Sequence, residues 1–378
     1  MTKNFFLLSA AHFFFGLAFW PFVLLPVFLQ DLGADLLIVG VIIGSASLAG
    51  IAVRPWVGTA LDRIGRRKCL ITGGLVFLAT NLLYLEVESI GWMIYAIRLL
   101  HGLGMGILFA TFFTLAADIS PLERRTEGIG LFGISGHLSG SVGVMLGETI
   151  IGIWGYSGMF ISCASLSLLS LLIILRVRDP GHHHHETPPV SFFRLSLAPA
   201  LRLPLLATIV FAISLSSYMV FLKPYALSVG VGSVTTFFVA YSLSAVGVRL
   251  VGGHWPDRFG LRPVLYPSMV LMSLGILLFT VQPTPAGLVI SGVLCGTGHG
   301  FIFPILSVMF LAAAEKKNRG SLMTLYTMLI DTGLFIGAPL LGLIARGGNY
   351  LPMFIVAAAL QAASLAAFAL LDGKKVRA

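Results

Sequence analysis

Apolar runs of about 20 residues follow one another along most of this chain, and each is long enough to cross about 30 Å of hydrocarbon as a helix. Only 10% of the 378 residues are charged, whereas soluble globular domains carry about 25%. Inside a membrane a helix satisfies its own backbone hydrogen bonds, which the hydrocarbon cannot do for it. The sequence therefore predicts an integral membrane protein of the all-α class.

Polar turns divide the apolar runs into twelve predicted spans, six before a long polar stretch and six after it. The predicted spans are 5–29, 36–59, 69–86, 91–117, 128–149, 153–175, 205–229, 232–252, 263–281, 286–313, 320–345 and 350–371. We therefore expect twelve transmembrane helices in two pseudo-symmetric six-helix bundles. The predicted domains are an N-terminal bundle at 1–176, a cytoplasmic linker at 177–204 and a C-terminal bundle at 205–378.

Basic residues fall on one side of the predicted spans. With the N-terminus inside the cell, nineteen of the 24 Lys and Arg residues lie in cytoplasmic segments, and only Arg346 lies in an outer loop. Asp31, Asp35 and Glu148 are among the acids that cluster outside. This asymmetry follows the positive-inside rule, so both termini are predicted to be cytoplasmic. The net charge of +9 then reflects topology, and no nucleic-acid partner is expected.

A charged turn after the second span recurs after the eighth span. The sequence GTALDRIGRRK at 58–68 is matched by GHWPDRFGLRP at 253–263, an offset of 195 residues. A repeat of this kind indicates an internal duplication. The matched pairs within the turn are Gly58/Gly253, Asp62/Asp257, Arg63/Arg258 and Gly65/Gly260. An Arg also lies eight residues before each Asp, at Arg54 and Arg249. Arg66 is not repeated, because Leu261 stands at the corresponding position.

Glycines extend the duplication into the fourth and tenth spans. The sequence RLLHGLGMG at 98–106 and the sequence CGTGHGFIFP at 295–304 share three glycines at an offset of 194 residues. Span 5 carries a further glycine seam. Because glycine has no side chain, we expect neighbouring helices to approach closely at these positions. The glycines are Gly102, Gly104 and Gly106, their counterparts Gly296, Gly298 and Gly300, and the seam Gly136, Gly140, Gly143 and Gly147.

Ionisable side chains within the spans are candidate functional residues, because they are costly to place in a bilayer. They fall on spans 1, 2, 4, 5, 7, 8, 10 and 11, and spans 3, 6, 9 and 12 carry none in their interiors. The latter four spans are therefore predicted to face lipid, and the others to surround a polar interior. The predicted cargo-binding residues are Arg98, His101, Met105, Lys223, Tyr225 and His299.

Two cations in the outer half of the spans favour an anionic or zwitterionic cargo. Arg98 is far from both ends of its helix, so its charge is expected to stay inside the protein. Lys223 lies about six residues from the outer end of span 7. Its ammonium group could face the same cavity as Arg98, or could extend along its stem to the outer surface.

Asp331 and His137 are the predicted proton-coupling residues. The duplication aligns them, and each precedes a glycine by six residues. Asp331 lies about twelve residues into its span and is the only acid that the sequence places deep in the membrane. It could carry a coupling proton, or it could be permanently paired with Lys223, Arg98 or His137. The sequence leaves both interpretations open.

No cofactor, metal centre or catalytic residue is predicted. Cys69, Cys163 and Cys295 are scattered along the chain and do not form a disulfide framework or a Cys-x-x-Cys motif. A phosphate-binding loop, a metalloprotease motif and a paired intramembrane acid are also missing from the sequence. Four consecutive histidines, His182 to His185, are read as part of the linker, because a flexible loop sets no coordination geometry. Metal binding by these histidines is the alternative.

The chain resembles the major facilitator superfamily of transporters over essentially its whole length. The resemblance is carried by the two related halves, by GTALDRIGRRK after span 2 and by RLLHGLGMG in span 4. The resemblance implies that spans 1, 4, 7 and 10 line a central cavity and that two bundles rock around it. It also implies a cytoplasmic gate that latches the bundles when the carrier opens outward. The residues assigned to this gate are Gly58, Asp62, Arg63, Gly65, Arg66, Asp257, Arg258, Arg54 and Arg249.

We therefore predict a monomeric secondary active transporter of the bacterial inner membrane that exports a small organic molecule in exchange for H⁺. The first alternative is an importer or uniporter of an anionic metabolite, which Arg98 and Lys223 would suit. The remaining alternatives are a metal or metallophore exporter and a non-transporting receptor on the same fold.

Overall fold

The computed structural model describes residues 2–120, 125–178, 199–312 and 319–372. Within these ranges the side chains of residues 58, 59, 62, 125–131, 200, 319–321 and 372 lie outside the described part. The described residues form helices and turns and contain no strand, which confirms the predicted all-α class. The four predicted linker histidines, His182 to His185, lie outside the described residues.

The α-helices of the described ranges follow one another along the chain. They are α1 Lys3–Phe19, α2 Leu25–Asp31, α3 Leu36–Ile64, α4 Arg66–Leu83, α5 Trp92–Ile119, α6 Arg125–Ile174, α7 Arg202–Ser228, α8 Thr235–Gly252, α9 Trp255–Phe259, α10 Leu261–Val281, α11 Pro285–Ala312, α12 Arg319–Ile344 and α13 Tyr350–Asp372. Short 3-10 segments occupy Trp20–Leu24, Tyr84–Glu86, Pro199–Leu201 and Arg346–Gly348.

Within the described ranges, eleven helical segments are long and apolar enough to cross a membrane. Ten of them have 18 to 29 residues, and the eleventh, Phe132–Ile174, has 43 residues. At 1.5 Å per residue the long segment measures about 65 Å, which is about twice the hydrocarbon thickness. Helix α6, which contains it, is interrupted by a non-helical Gly155 with φ 68° and ψ −170°. This break lies near the start of the predicted sixth span, 153–175, two residues after its first residue.

The two copies of the charged turn have the same backbone geometry. Gly65 precedes α4 with φ 93° and ψ 152°, and Gly260 precedes α10 with φ 96° and ψ 156°. Glycine adopts such positive φ angles readily, whereas a side chain would strain the backbone there. The repeated glycine is therefore explained by a repeated turn, one copy in each half of the chain.

The chain divides into two compact units. The first unit comprises Met1–Ala34 and Ser45–Glu186, and the second comprises Asp35–Gly44 and Thr187–Ala378. The ten residues from Asp35 to Gly44 belong to the second unit because two glycines at the start of α3 lie directly against α12. A Cβ atom on Gly40 would lie 2.2 Å from the Ala338 carbonyl oxygen. The domain limits expected from the sequence, 1–176 and 205–378, stay a prediction.

Each unit repeats the same pairs of neighbouring helices. In the first unit α1 packs on α6, and α4 packs on α5 and α6. In the second unit α7 packs on α12, and α10 packs on α11 and α13. Asn4 at the start of α1 and Arg178 after α6 exchange two hydrogen bonds of 2.8 and 2.9 Å, so these two chain segments lie side by side.

The repeated glycines meet equivalent partners in the two units. A glycine of α5 and its counterpart in α11 face residues that are 195 positions apart in the sequence. The glycines and the equivalent residues that they face are Gly102 with Ala46 and Gly296 with Tyr241, Gly104 with Phe77 and Gly298 with Met272, and Gly106 with Val53 and Gly300 with Val248. The sequence duplication therefore extends to the packing of three helices in each unit.

Candidate functional site

A polar cluster in the first unit joins two of the predicted cargo-binding residues. The hydroxyl group of Tyr84 lies 3.4 Å from an Arg98 guanidinium nitrogen and 3.4 Å from His101 Nδ1. Arg98 is 6% exposed, and the other two side chains are also buried. Arg98 and His101 lie three residues apart on α5, so they share one helix face, as the sequence predicts. Tyr84 bridges them from the end of α4.

Aromatic rings enclose this cluster. The ring of His101 makes edge contacts with Phe22 at 4.5 Å and with Phe77 at 4.9 Å between centroids. Phe160 of α6 stacks on Tyr84 at 5.1 Å. His101 Nε2 is buried and has no hydrogen-bond partner among the described residues. The cluster therefore lies in the interior of the first unit, and Met105, one turn beyond His101, is half-buried.

The glycine seam of span 5 packs against the first span. The indole nitrogen of Trp20 donates a hydrogen bond of 3.2 Å to the Gly136 carbonyl oxygen. Side chains at Gly140 and Gly143 would collide with Trp20, since their Cβ atoms would lie 3.0 Å from it. This confirms the close helix approach predicted from the seam. His137, the predicted proton-coupling residue of this span, is half-buried on α6.

Histidine side chains occur in aromatic surroundings in both units. In the first unit His12 stacks on Phe132 at 4.4 Å, and its Nδ1 lies 2.7 Å from the Ser135 hydroxyl group. In the second unit His299 Nδ1 lies 2.5 Å from the hydroxyl group of Tyr241. The His299 ring is half-buried and is parallel to the ring of Phe303 at 5.8 Å.

Tyr225 and Lys223 are two residues apart on α7 and have different partners. Tyr225 is buried, donates a hydrogen bond to the Phe279 carbonyl oxygen and contacts Phe354. Lys223 Nζ donates a hydrogen bond of 2.7 Å to the carbonyl oxygen of Gly232, in the loop that follows α7. The ammonium group thus reaches the end of its own helix, which is the geometry expected for extension towards the outer surface.

Asp331 lies on α12, twelve residues after the helix begins at Arg319. Its side chain is half-buried and lies within the apolar segment Leu322–Ile344. The predicted depth in a span therefore agrees with its place on the helix. The pairing of Asp331 with Lys223, Arg98 or His137 stays a prediction.

The predicted cytoplasmic gate includes a buried ion pair that the sequence interpretation missed. Arg66 Nε lies 3.0 Å from Asp118 Oδ2, and Arg66 also donates a hydrogen bond of 2.8 Å to the Leu61 carbonyl oxygen. Asp118 lies in the last turn of α5, so the pair joins the charged turn to the fourth span. The surroundings of Asp62 and Gly58, which are assigned to the same gate, lie outside the described part.

The other gate residues differ in their surroundings. Arg249 donates a hydrogen bond of 3.3 Å to the Gly300 carbonyl oxygen, and this bond joins α8 to α11. Arg63, Asp257 and Arg258 are exposed, and the Arg258 guanidinium lies 5.2 Å from the centre of the Phe259 ring. Arg54 is half-buried. Arg54 and Arg249, which the duplication aligns, are therefore both less exposed than the three residues of the charged turns.

The residues that sequence reasoning missed are Tyr84, Tyr241 and Asp118. Asp118 could have been found, because an acid at the cytoplasmic end of a span departs from the basic pattern of that side. The tyrosines carry no charge and are not repeated, since Ala46 and not a tyrosine stands 195 residues before Tyr241. Their contacts with Arg98, His101 and His299 arise only from helix packing.

Comparisons with known proteins agree with this geometry. The family model described as Major Facilitator Superfamily matches residues 5–205 and again 204–377. The chain is 24% identical to an uncharacterized MFS-type transporter of Salmonella typhimurium, over 90% of this chain and 88% of the relative. It is 23% identical to the staphylopine export protein of Staphylococcus aureus, over 88% of this chain and 87% of the relative.

Solved structures of transporters share the fold. A mutant of the nucleoside transporter NupG has a TM-score of 0.80 at 15% identity, covering 97% of this chain and 99% of that chain. The human organic anion transporter MFSD10 has a TM-score of 0.74 at 15% identity, with the same coverage of both chains. At this level of identity the likeness shows the fold alone.

Proposed function

Because the chain belongs to the Major Facilitator Superfamily, we propose that it exports a small organic solute across the bacterial inner membrane in exchange for protons. Members of this family are transporters and not enzymes, so the prediction that the chain is not an enzyme is confirmed. Its transport would proceed by alternating access, with the monomer as the working unit. The position of Asp331 carries the proton-coupling part of the proposal.

The proposed topology has twelve spans with both termini in the cytoplasm. Ten apolar segments each supply one span, and the 43-residue segment Phe132–Ile174 supplies two, with Gly155 at the turn between them. Asn4 and Arg178 exchange two hydrogen bonds and would therefore lie on the same side of the membrane. This supports an even number of spans between these two residues.

Asp331 supports proton coupling because a carboxyl group in the middle of an apolar helix can exchange its proton as its surroundings change. It lies twelve residues after the first residue of α12 and is half-buried. The buried Arg98 and the half-buried His299 supply polar groups on the two helices, α5 and α11, that the family resemblance assigns to the cargo cavity.

The test begins with the cargo. Small molecules in cells and in the surrounding medium are compared between cells that carry the protein and cells that do not. A compound depleted inside and enriched outside is then supplied to inside-out membrane vesicles, with and without a pH gradient that is acidic inside. We expect uptake into these vesicles to require the gradient.

The variant Asp331→Asn tests the coupling residue. We expect it to lose gradient-driven transport while it keeps exchange of labelled for unlabelled cargo, because exchange needs no net proton movement. The matched control is Glu88→Gln, which makes the same acid-to-amide change at an exposed position. Gradient-driven transport at the wild-type rate in Asp331→Asn would contradict the assignment.

Import of an anionic metabolite is the second candidate, and the buried charge of Arg98 favours it. An organic anion transporter is also among the structures with this fold. Reversing the pH gradient separates the two directions, because an importer coupled to protons would load right-side-out vesicles only when the outside is acidic. Export of a metallophore, suggested by the staphylopine export protein, would be tested by deleting His182 to His185.

The proposed gate rests on the ion pair between Arg66 and Asp118. This pair holds the charged turn on the end of α5, and it would position the neighbouring Asp62 for charge-assisted hydrogen bonds to the opposite bundle. We expect Asp62→Asn to lower the transport rate and to leave expression unchanged. Equal rates for Asp62→Asn and the wild-type protein would remove Asp62 from the gate.

A further inference from the structure

A groove of about 290 Å³ lies within the second unit, between α8 and α11. Its walls include Gly247 and Val251 of α8, and Thr297 and Phe301 of α11. Trp255 of α9 closes one end, where its ring stacks on Phe301 at 5.8 Å with an angle of 18° between the planes. The lining is therefore mostly apolar.

The groove is distinct from the proposed cargo residues of the same helix. An α-helix turns by about 100° per residue, so Thr297 and Phe301 each lie about 200° around α11 from His299. The groove thus opens on the opposite face of α11. Val251 on its edge is 69% exposed and Leu250 beside it is 67% exposed. Exposed apolar side chains on a membrane-spanning helix are suited to contact with lipid.

Basic residues lie at the end of the groove that Trp255 closes. Trp255 and Arg258 are three residues apart on α9 and therefore share one face of this helix. His254 and Arg262 flank α9, and both arginines are exposed. Asp257, also exposed, is the one acid in this segment. The sequence predicts that this end lies at the cytoplasmic surface, where anionic headgroups occur.

We propose that this groove binds a phospholipid of the cytoplasmic leaflet with an anionic headgroup. One acyl chain lies in the groove along Gly247 and Phe301, and the headgroup phosphate lies by Arg258 and Arg262. Tryptophan is enriched at the membrane–water interface, which suits Trp255 at the junction of chain and headgroup. Each basic residue near such a surface attracts anionic lipid by about 1 kcal/mol.

Gly247 offers a direct test, because a Cβ atom there would have no heavy atom within 4 Å. Gly247→Leu is therefore chosen to fill the groove from a position where the first side-chain atom meets no neighbour. Gly152→Leu is the matched control, since Gly152 is likewise a helical glycine with open space around it, in the first unit. The full-length proteins are purified in detergent and titrated with phosphatidylglycerol, and bound lipids are counted by native mass spectrometry.

We expect the wild-type protein and Gly152→Leu to keep one phosphatidylglycerol molecule that resists detergent washing. Gly247→Leu should bind this lipid at least about tenfold more weakly. Phosphatidylcholine should compete poorly, because its headgroup has no net charge, and inorganic phosphate should not compete, because it lacks the acyl chain. Equal retention by Gly247→Leu and the wild-type protein would overturn the proposal, as would equal binding of the two lipids.

A second variant protects the test against misfolding of Gly247→Leu. Val251→Trp enlarges an exposed side chain at the edge of the groove, so it blocks the same space from outside the protein core. Its expected result is the same loss of the retained lipid. Lipid retention is measured without transport, so failure of the lipid site is separate from failure of the proposed export function.

Discussion

Two ion pairs with nearly equal N–O distances differ in burial, so they can test whether burial increases the contribution of an ion pair to folding stability. The pair between Arg66 and Asp118 has an N–O distance of 3.0 Å, with side chains 7% and 21% exposed. The pair between Arg346 and Asp35 has a distance of 3.1 Å, with side chains 63% and 35% exposed. Because the distances match, a difference in their contributions must come mainly from the surroundings.

The expected magnitudes follow from screening. At about 3 Å and an effective dielectric constant of about 20, two unit charges attract each other by about 5–6 kcal/mol before desolvation is subtracted. Exposed pairs retain about 0–1 kcal/mol of this, whereas removing one partner of a buried pair costs about 3–5 kcal/mol. Since Asp118 keeps some contact with solvent, we expect a coupling free energy of about 2 kcal/mol for Arg66–Asp118 and at most about 0.5 kcal/mol for Asp35–Arg346.

Double-mutant cycles on thermal unfolding in detergent measure these couplings. The first cycle uses Arg66→Gln and Asp118→Asn, and the second uses Arg346→Gln and Asp35→Asn. Asparagine caps helices as well as aspartate does, so Asp35→Asn keeps the hydrogen bond of 2.8 Å that Asp35 accepts from the Ile38 amide. With about 2–4 °C for each kcal/mol, the non-additivity should be about 4–8 °C in the first cycle and at most about 2 °C in the second. Equal couplings in the two cycles would refute the reasoning.

Two further changes test packing and hydrogen bonding. Gly102→Ala and Gly296→Ala would place a Cβ 1.9 Å and 2.2 Å from a backbone oxygen, so we expect each to lower the unfolding free energy by about 1–3 kcal/mol. Gly152→Ala, in open space, should leave the thermal midpoint unchanged or raise it, and an equal loss in all three variants would contradict the packing account. Tyr84→Phe removes the hydroxyl group that bridges Arg98 and His101, which should cost about 1 kcal/mol because both contacts are long, at 3.4 Å. A midpoint in Tyr84→Phe equal to that of the wild type would show that the bridge does not stabilise the protein.

Much of the fold could be predicted because it depends on local sequence. Hydrocarbon requires long apolar helices, and the apolar runs of the sequence correspond to the long apolar helical segments of the described residues. The duplication could be read from spacing alone, since glycine at positions such as Gly65 and Gly260 is required by a backbone angle. The extent of each helix was harder to predict, and the break that follows span 5 lies at Gly155, two residues inside the predicted sixth span.

The candidate site could be predicted only in part. Charge within an apolar run identified Arg98 and His101, and the structure brings both to Tyr84. The same rule grouped Lys223 with them, and Tyr225 was predicted beside it. In the structure Lys223 bonds to Gly232, and Tyr225 contacts Phe354. A sequence gives the position of a side chain on its helix, but the direction of that face depends on the neighbouring helices.

The sequence by itself determined the membrane location, the helical class, the duplication and the family. The first three follow from hydropathy, from charge asymmetry and from glycine positions, which act over one helix or one turn. The family was indicated by the resemblance of the charged turn and the span-4 motif. Only the tertiary structure decided that Asp118 neutralises Arg66 and that Tyr84 links Arg98 to His101. It also decided that a groove lies behind His299 on α11. Such pairings depend on the distances between helices, which no local pattern records.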